Sequence, residues 1–132
     1  MKNNLIIPFT SFLILSMIIG CHDYPIDEDG LLITTRSECY VSNFELLGSD
    51  HRTVRTKAAV VDTVNQTIEV EVFFGTDLKN LYPQFSLVTD AKLDPKIEGP
   101  VDFSNLDNPK TWTVISGNRL IRKTYTVYVS VQ

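Results

Sequence analysis

Side chains able to do acid–base or nucleophilic chemistry are few and scattered. The 132 residues hold two histidines and two cysteines beside 16 carboxylates, too few imidazoles and thiols for a metal cluster or a His-dependent triad. His51 follows Asp50, the nearest approach to a catalytic pair, yet consecutive residues on a strand or loop point apart, so the pair reads as a polar turn. A glycosidase needs two carboxylates facing each other across a cleft, one with a raised pKa. Glu69 and Glu71 instead share a solvent face at strand spacing, and Asp90, Asp94 and Asp102 are too dispersed to form a calcium loop. Phosphate loops, a nucleophile elbow and zinc-protease signatures are missing. The expectation is a protein that is not an enzyme and uses neither cofactor nor metal.

Aromatic rings offer a different chemistry, because the apolar face of a pyranose stacks on a rigidly held indole or phenol. Trp112, Tyr82 and Tyr128 are the candidates for ligand stacking. Trp112 shares strand parity with Val114, which favours the core, whereas Tyr128 falls on the outward parity of its strand. Lys and Arg number 12 and form no run, and the formal charge is -4, so no basic patch is available for nucleic acid. Cys39 is expected to be a buried, inert thiol.

The elements that must carry these residues read as strands. From Leu31 onward, short runs rich in Val, Ile, Thr, Phe and Tyr alternate with turn residues, and no helical period is sustained. Residues 67–73 place Ile68, Val70 and Val72 on one face and Glu69 and Glu71 on the other, and residues 123–131 place Tyr125, Val127, Val129 and Val131 inward. Gly117-Asn118 predicts a two-residue hairpin between the last two strands. Further strands are expected over 39–47, 55–61 and 84–89, and 75–81 reads as one capped turn of helix, with 31–36 either an edge strand or tether. Six or seven strands in about 100 residues predict an all-β antiparallel sandwich.

The N-terminus reads as an address. Lys2 precedes an apolar stretch from Leu5 to Ile19, 15 residues long, short of the roughly 20 that span a bilayer as a helix. Ile18-Ile19-Gly20-Cys21 resembles the bacterial lipobox, which implies cleavage before Cys21 and lipidation of its thiol. Residues 1–20 are then a lipoprotein signal peptide, 21–38 an acidic tether and 39–132 the sandwich domain. Asp23, Asp27, Glu28 and Asp29 read either as a solvated linker, supported by Pro25 and Gly30, or as a resemblance to the acidic signal that sends Bacteroidetes-type lipoproteins to the outer face of the outer membrane.

The body resembles the immunoglobulin-like (cadherin-like) β-sandwich modules of Bacteroidetes surface lipoproteins. Val41-Ser42-Asn43-Phe44, Gly75-Thr76-Asp77-Leu78 followed by Leu81-Tyr82-Pro83-Gln84-Phe85, Asp102-Phe103-Ser104, Trp112-Thr113-Val114 and Tyr125-Thr126-Val127 carry the resemblance, which covers roughly residues 40–131. Phe74 stands where a proline is common, and 94–99 fits the usual loop only loosely. The resemblance implies a non-catalytic, lipid-anchored binding or spacer module at the cell surface, with a glycan or an outer-membrane nutrient-uptake complex as partner. The alternative is an adhesin-type subunit that assembles through a strand edge. Asp62-Thr63-Val64 resembles the signal for O-glycosylation of exported Bacteroidetes proteins, which makes Thr63 the candidate acceptor.

Overall fold

The computed structural model describes residues 25–132, so the expected signal peptide, Cys21 and Asp23 lie outside the described residues. Alternating apolar and polar residues produce seven strands: β1 (Val41–Leu47), β2 (Val60–Asp62), β3 (Thr67–Val72), β4 (Tyr82–Leu87), β5 (Lys92–Asp94), β6 (Lys110–Ile115) and β7 (Arg122–Val131). β1 and β4 form one antiparallel sheet, and the other five form a second in the order β2-β3-β7-β6-β5. The protein is an all-β sandwich. The segment Thr53–Thr56 stitches the sheets together, pairing with Leu47 at one end and with Val72 and Glu71 at the other.

The sequence parity holds in the core. Ile68, Val70 and Val72 of β3 and Tyr125 and Val127 of β7 are buried against Phe44 and Leu46 of β1 and Trp112 and Val114 of β6. Tyr125 is fully buried, and its phenol oxygen accepts the Val41 N–H at 3.4 Å, which ties the long strand of the large sheet to the first strand of the small one. Leu81 and Phe103 complete the core from the loops, because Phe103 N–H donates to the Leu78 carbonyl at 2.7 Å and Leu81 pairs with Val101.

Four local expectations are corrected. Residues 75–81 form turns and no helix: Asn80 N–H bonds to the Asp77 carbonyl at 3.5 Å, but Leu81 N–H is taken by Val101, so no i to i−4 ladder starts. The Asp77 carboxylate does act as a local acceptor, for the Lys79 N–H at 3.1 Å. The final hairpin is wider than two residues, closing through Ser116 N–H to the Ile121 carbonyl at 2.9 Å, and its left-handed residue is Arg119 (φ 63°). Gly117 is needed for space instead, since a Cβ there would stand 2.5 Å from Thr34 Oγ1 and 2.9 Å from Asp90 Cβ. The strand expected over 55–61 is confined to β2, with Arg55 making one isolated bridge; 31–36, which the sequence left open between edge strand and tether, forms only the bridge of Leu32 to Ile26. The sandwich is not purely antiparallel, because β3 and β7 run parallel through six residue pairs.

The acidic segment is not a free linker either. The Asp27 carboxylate, 3% exposed, accepts from Lys92 Nζ at 2.8 Å and from Arg119 Nε at 2.9 Å, while its other oxygen caps the turn through the N–H groups of Asp29 and Leu31. Asp29 holds the same ammonium at 2.8 Å and Lys96 at 3.0 Å. Hydrogen bonding to Lys92 holds the Asp27 carboxyl well below the ordinary aspartate value, and the two aspartates push Lys92 above the ordinary lysine value.

Two predictions follow from this packing. Tyr125→Phe removes the acceptor for a buried N–H and should cost about 1–2 kcal/mol by urea unfolding, with the strand content of the circular dichroism spectrum unchanged. Lys92→Ala should speed protease cleavage within residues 26–33 several-fold at neutral pH. In the parent, the contribution of Asp27 is complete above the ordinary aspartate value of 3.8 and is lost as pH falls through its depressed pKa, so the same cleavage sites should open only in acid.

Candidate functional site

The three candidate aromatic residues occupy three different environments. Trp112 lies at the centre of β6 and is 5% exposed, its ring packed against Phe85 at 5.2 Å and Phe103 at 6.1 Å between centroids. As its parity indicates, it is a core residue, and its ring is not offered for stacking. Tyr82 opens β4, half-buried, with the His51 ring against it at 4.8 Å. Tyr128 projects outward from β7 and is 46% exposed. The fold does not bring the three together, so they make no common platform.

Around Tyr128 the outer face of the large sheet is polar. Its register neighbour on β3 is Glu69, the preceding outward residue of β7 is Thr126, opposite Thr67 and Thr111, and further along Thr113 and Thr124 hydrogen-bond through their hydroxyls at 2.9 Å. One ring flanked by hydroxyls and a carboxylate can pack on the apolar face of a sugar and hydrogen-bond its rim. Of the three candidate rings, Tyr128 is the most exposed.

Two grooves lie at the side of the sandwich. One of about 460 Å³ runs between residues 95–101 and 108–111, with the edge of Trp112 at its floor. The other, about 430 Å³, is charged and is bounded by Glu28, Asp29, Lys92, Asp94, Lys96, Glu98 and Arg122. Its charges are largely spent on one another: Lys92 on Asp27 and Asp29, Lys96 on Asp29, Arg122 on Asp94 at 3.1 Å. Hydrogen bonds hold Asp27, Asp29, Asp62, Asp77 and Asp102 below the ordinary carboxylate range, with side-chain or backbone donors outweighing burial in each. Carboxylates kept ionised in this way are poor general acids. No group of three or more His, Cys, Asp or Glu that could hold a metal ion occurs among the described residues.

The remaining candidates are equally local. Asp50 caps a turn by accepting the Arg52 N–H at 3.1 Å, and His51 has φ 60° with its ring on Tyr82, so the two side chains serve separate neighbours. The Cys39 thiol is buried, donates to the Val114 carbonyl at 3.2 Å, and has its pKa raised by burial. Thr63 is exposed in the β2–β3 connection, where Asp62 accepts the N–H groups of Val64 at 2.9 Å and Asn65 at 3.0 Å. Sequence reasoning missed Lys92 and Arg119 as the partners of the acidic segment. Nothing in the composition pointed to them, since they lie 65 and 92 residues away from Asp27.

No curated protein matches the chain. Among solved structures, it is similar to a candidate glycoside hydrolase from Bacteroides thetaiotaomicron, at 28% identity and a TM-score of 0.60 over 72% of this chain. The chain spans only 25% of that protein's length. A DUF4623 family protein from Bacteroides eggerthii (15% identity, TM-score 0.53, 72% of this chain and 22% of that one) shares the fold. So does a candidate secreted protein from Bacteroides fragilis (12% identity, TM-score 0.50), of which the chain covers 96% while matching over 72% of its own length. The family model described as "SGBP, N-terminal" matches residues 50–129, from the turn after β1 into the last strand. With more than half of its length accounted for by that model, the chain belongs to the SGBP N-terminal family.

Proposed function

We propose that this chain is a non-catalytic, immunoglobulin-like module of a glycan-binding surface protein, lipid-anchored at Cys21 on the outer face of the outer membrane, where it acts as a spacer. Membership of the SGBP N-terminal family supports the glycan-related part of this reading. The spacer part is carried by one observation, the placement of the two chain ends. Pro25 accepts from Ile33 N–H beside the β6–β7 hairpin, whereas Gln132 N–H bonds to Val72 beyond the far end of β7. β7 spans ten residues, so those ends stand roughly 30 Å apart. A module with that geometry lifts whatever adjoins it away from the anchor.

The separation of Tyr82, Tyr128 and Trp112 favours the spacer over a binding platform, and leaves the polar face around Tyr128 as the place where a glycan would touch this module. The partner under this reading is a glycan or the outer-membrane uptake complex that handles it. Assembly through a strand edge is disfavoured for the large sheet because its edge strands, β2 and β5, are three residues long. Thr63 stands on an exposed connection that a glycosyltransferase could reach, which supports it as an O-glycosylation site.

Cys21→Ala should move the protein from the detergent phase to the aqueous phase on partitioning of cell extracts, and a variant that still enters the detergent phase like the parent would overturn the anchor. Intact mass of the protein from its native host should exceed that of the lipidated peptide by a glycan, and Thr63→Ala should remove the glycan mass while leaving the lipid. Parent and variant masses that differ only by the substitution would end the glycosylation reading.

A further inference from the structure

Exposed aliphatic residues gather at the end of the module nearest the anchor. Leu120, at the tip of the β6–β7 hairpin, is 82% exposed, Ile26 is 64% exposed, and Leu31 and Leu32 are each nearly half exposed. Ile26 and Leu32 oppose each other across an antiparallel bridge, which puts their side chains on the same side. Arg119, the residue before Leu120, donates from Nη2 to the Leu32 carbonyl at 3.1 Å and from Nε to Asp27 at 2.9 Å. Thr34 N–H bonds to the Gly117 carbonyl at 3.0 Å. The hairpin tip and the turn of the acidic segment are therefore one rigid end, with apolar side chains left in solvent.

We propose that this end rests in the membrane interface, with Leu120, Ile26 and Leu32 as its lipid contacts. The inference rests on the lipidation of Cys21 put forward above, and it commits to a lipid surface because of reach: Cys21 precedes Pro25 by four residues, which is at most about 14 Å of extended chain. A bilayer holding the acyl chains of Cys21 is within that distance of Pro25, next to Ile26 and in the segment that Arg119 and Gly117 of the hairpin bond to. The charge at this end agrees. Asp27, Glu28 and Asp29 are matched by Lys92, Lys96 and Arg119, so the approach brings no net charge from the cluster to the lipid surface. Contact there would fix the tilt of the module, which an acyl tether alone leaves free.

The test uses the full lipidated protein, purified from membranes and reconstituted into phosphatidylethanolamine–phosphatidylglycerol vesicles containing lipids with a nitroxide high on the acyl chain. Leu120→Cys and Phe74→Cys carry an environment-sensitive fluorophore in turn. Both parent residues are highly exposed, Phe74 lies beyond the opposite end of the parallel β3–β7 pair, and buried Cys39 stays unlabelled. The expected result is a blue-shifted emission at position 120, quenched several-fold more strongly than at position 74. Equal quenching at the two positions, in protein whose Cys21 peptide carries lipid by mass, would overturn the proposal while leaving the anchor intact. A blue shift at position 120 that grows with protein concentration and is insensitive to the nitroxide would mean self-association and would equally overturn it. A Cys21 peptide without lipid would remove the anchor reading, and the membrane contact with it.

Discussion

The parallel pairing of β3 with β7 is the constraint that the other elements answer to. Parallel neighbours cannot be joined by a tight turn, so the chain between Val72 and Arg122 must leave the large sheet and return to the starting level before β7 begins. That excursion contains β4, which crosses to build the small sheet with β1, and β5 and β6, which come back to extend the large one. β7 pays for the detour by pairing on both sides, parallel with β3 and antiparallel with β6, and by placing Tyr125 beneath β1. The core is deepest where these pairings cross, at Phe44, Ile68, Val114, Tyr125 and Val127.

A second constraint acts where the acidic segment meets the β6–β7 hairpin. A run of acids near the N-terminus would be expected to trail in solvent, yet the Asp27 carboxylate is buried between an ammonium and a guanidinium drawn from β5 and from the β6–β7 hairpin. Removing either cation would leave the Asp27 carboxylate, shielded from water, with a single charged partner. The segment is thereby fixed as part of the module, and only Glu28 of the three adjacent acids keeps its carboxylate in water. The consequence for function is mechanical. The fold sets where the chain enters the module, beside the β6–β7 hairpin and opposite the C-terminal end of β7.

The chemistry that is present suits a passive role. The shifted aspartates are all stabilised in their ionised form, the accessible thiol chemistry of Cys39 is suppressed by burial, and the aromatic residues are divided among core, small sheet and outer face. The outer sheet face bearing Tyr128 amid threonines and Glu69 is open and polar, not a closed pocket for one small ligand.

The sequence by itself determined what depends on near neighbours: the strand character of residues 67–72 and 123–131, the inward side chains of those strands except Val131, which is exposed where β7 runs out of the core, the core position of Trp112, the turn role of Asp50 and Asp62, and the presence of a hairpin around Gly117. Each follows from period-two alternation or from a side chain bonding backbone two residues away. What only the tertiary structure decided involves distant partners. Residues 75–81 carry a plausible helix start, but the Leu81 N–H is claimed by Val101, and the local preference loses to a cross-chain bond. Gly117 reads as a turn residue, although its missing side chain makes room for Thr34 and Asp90 while Arg119 takes the left-handed conformation. Asp27 to Asp29 read as solvated because hydration is the default for a run of acids, and only the fold brings Lys92 and Arg119 to them across 65 and 92 residues. Alternation specifies which face of a strand is buried, but it carries no information about which strand lies alongside or which charge waits at its end, and those are the features that give this module its direction.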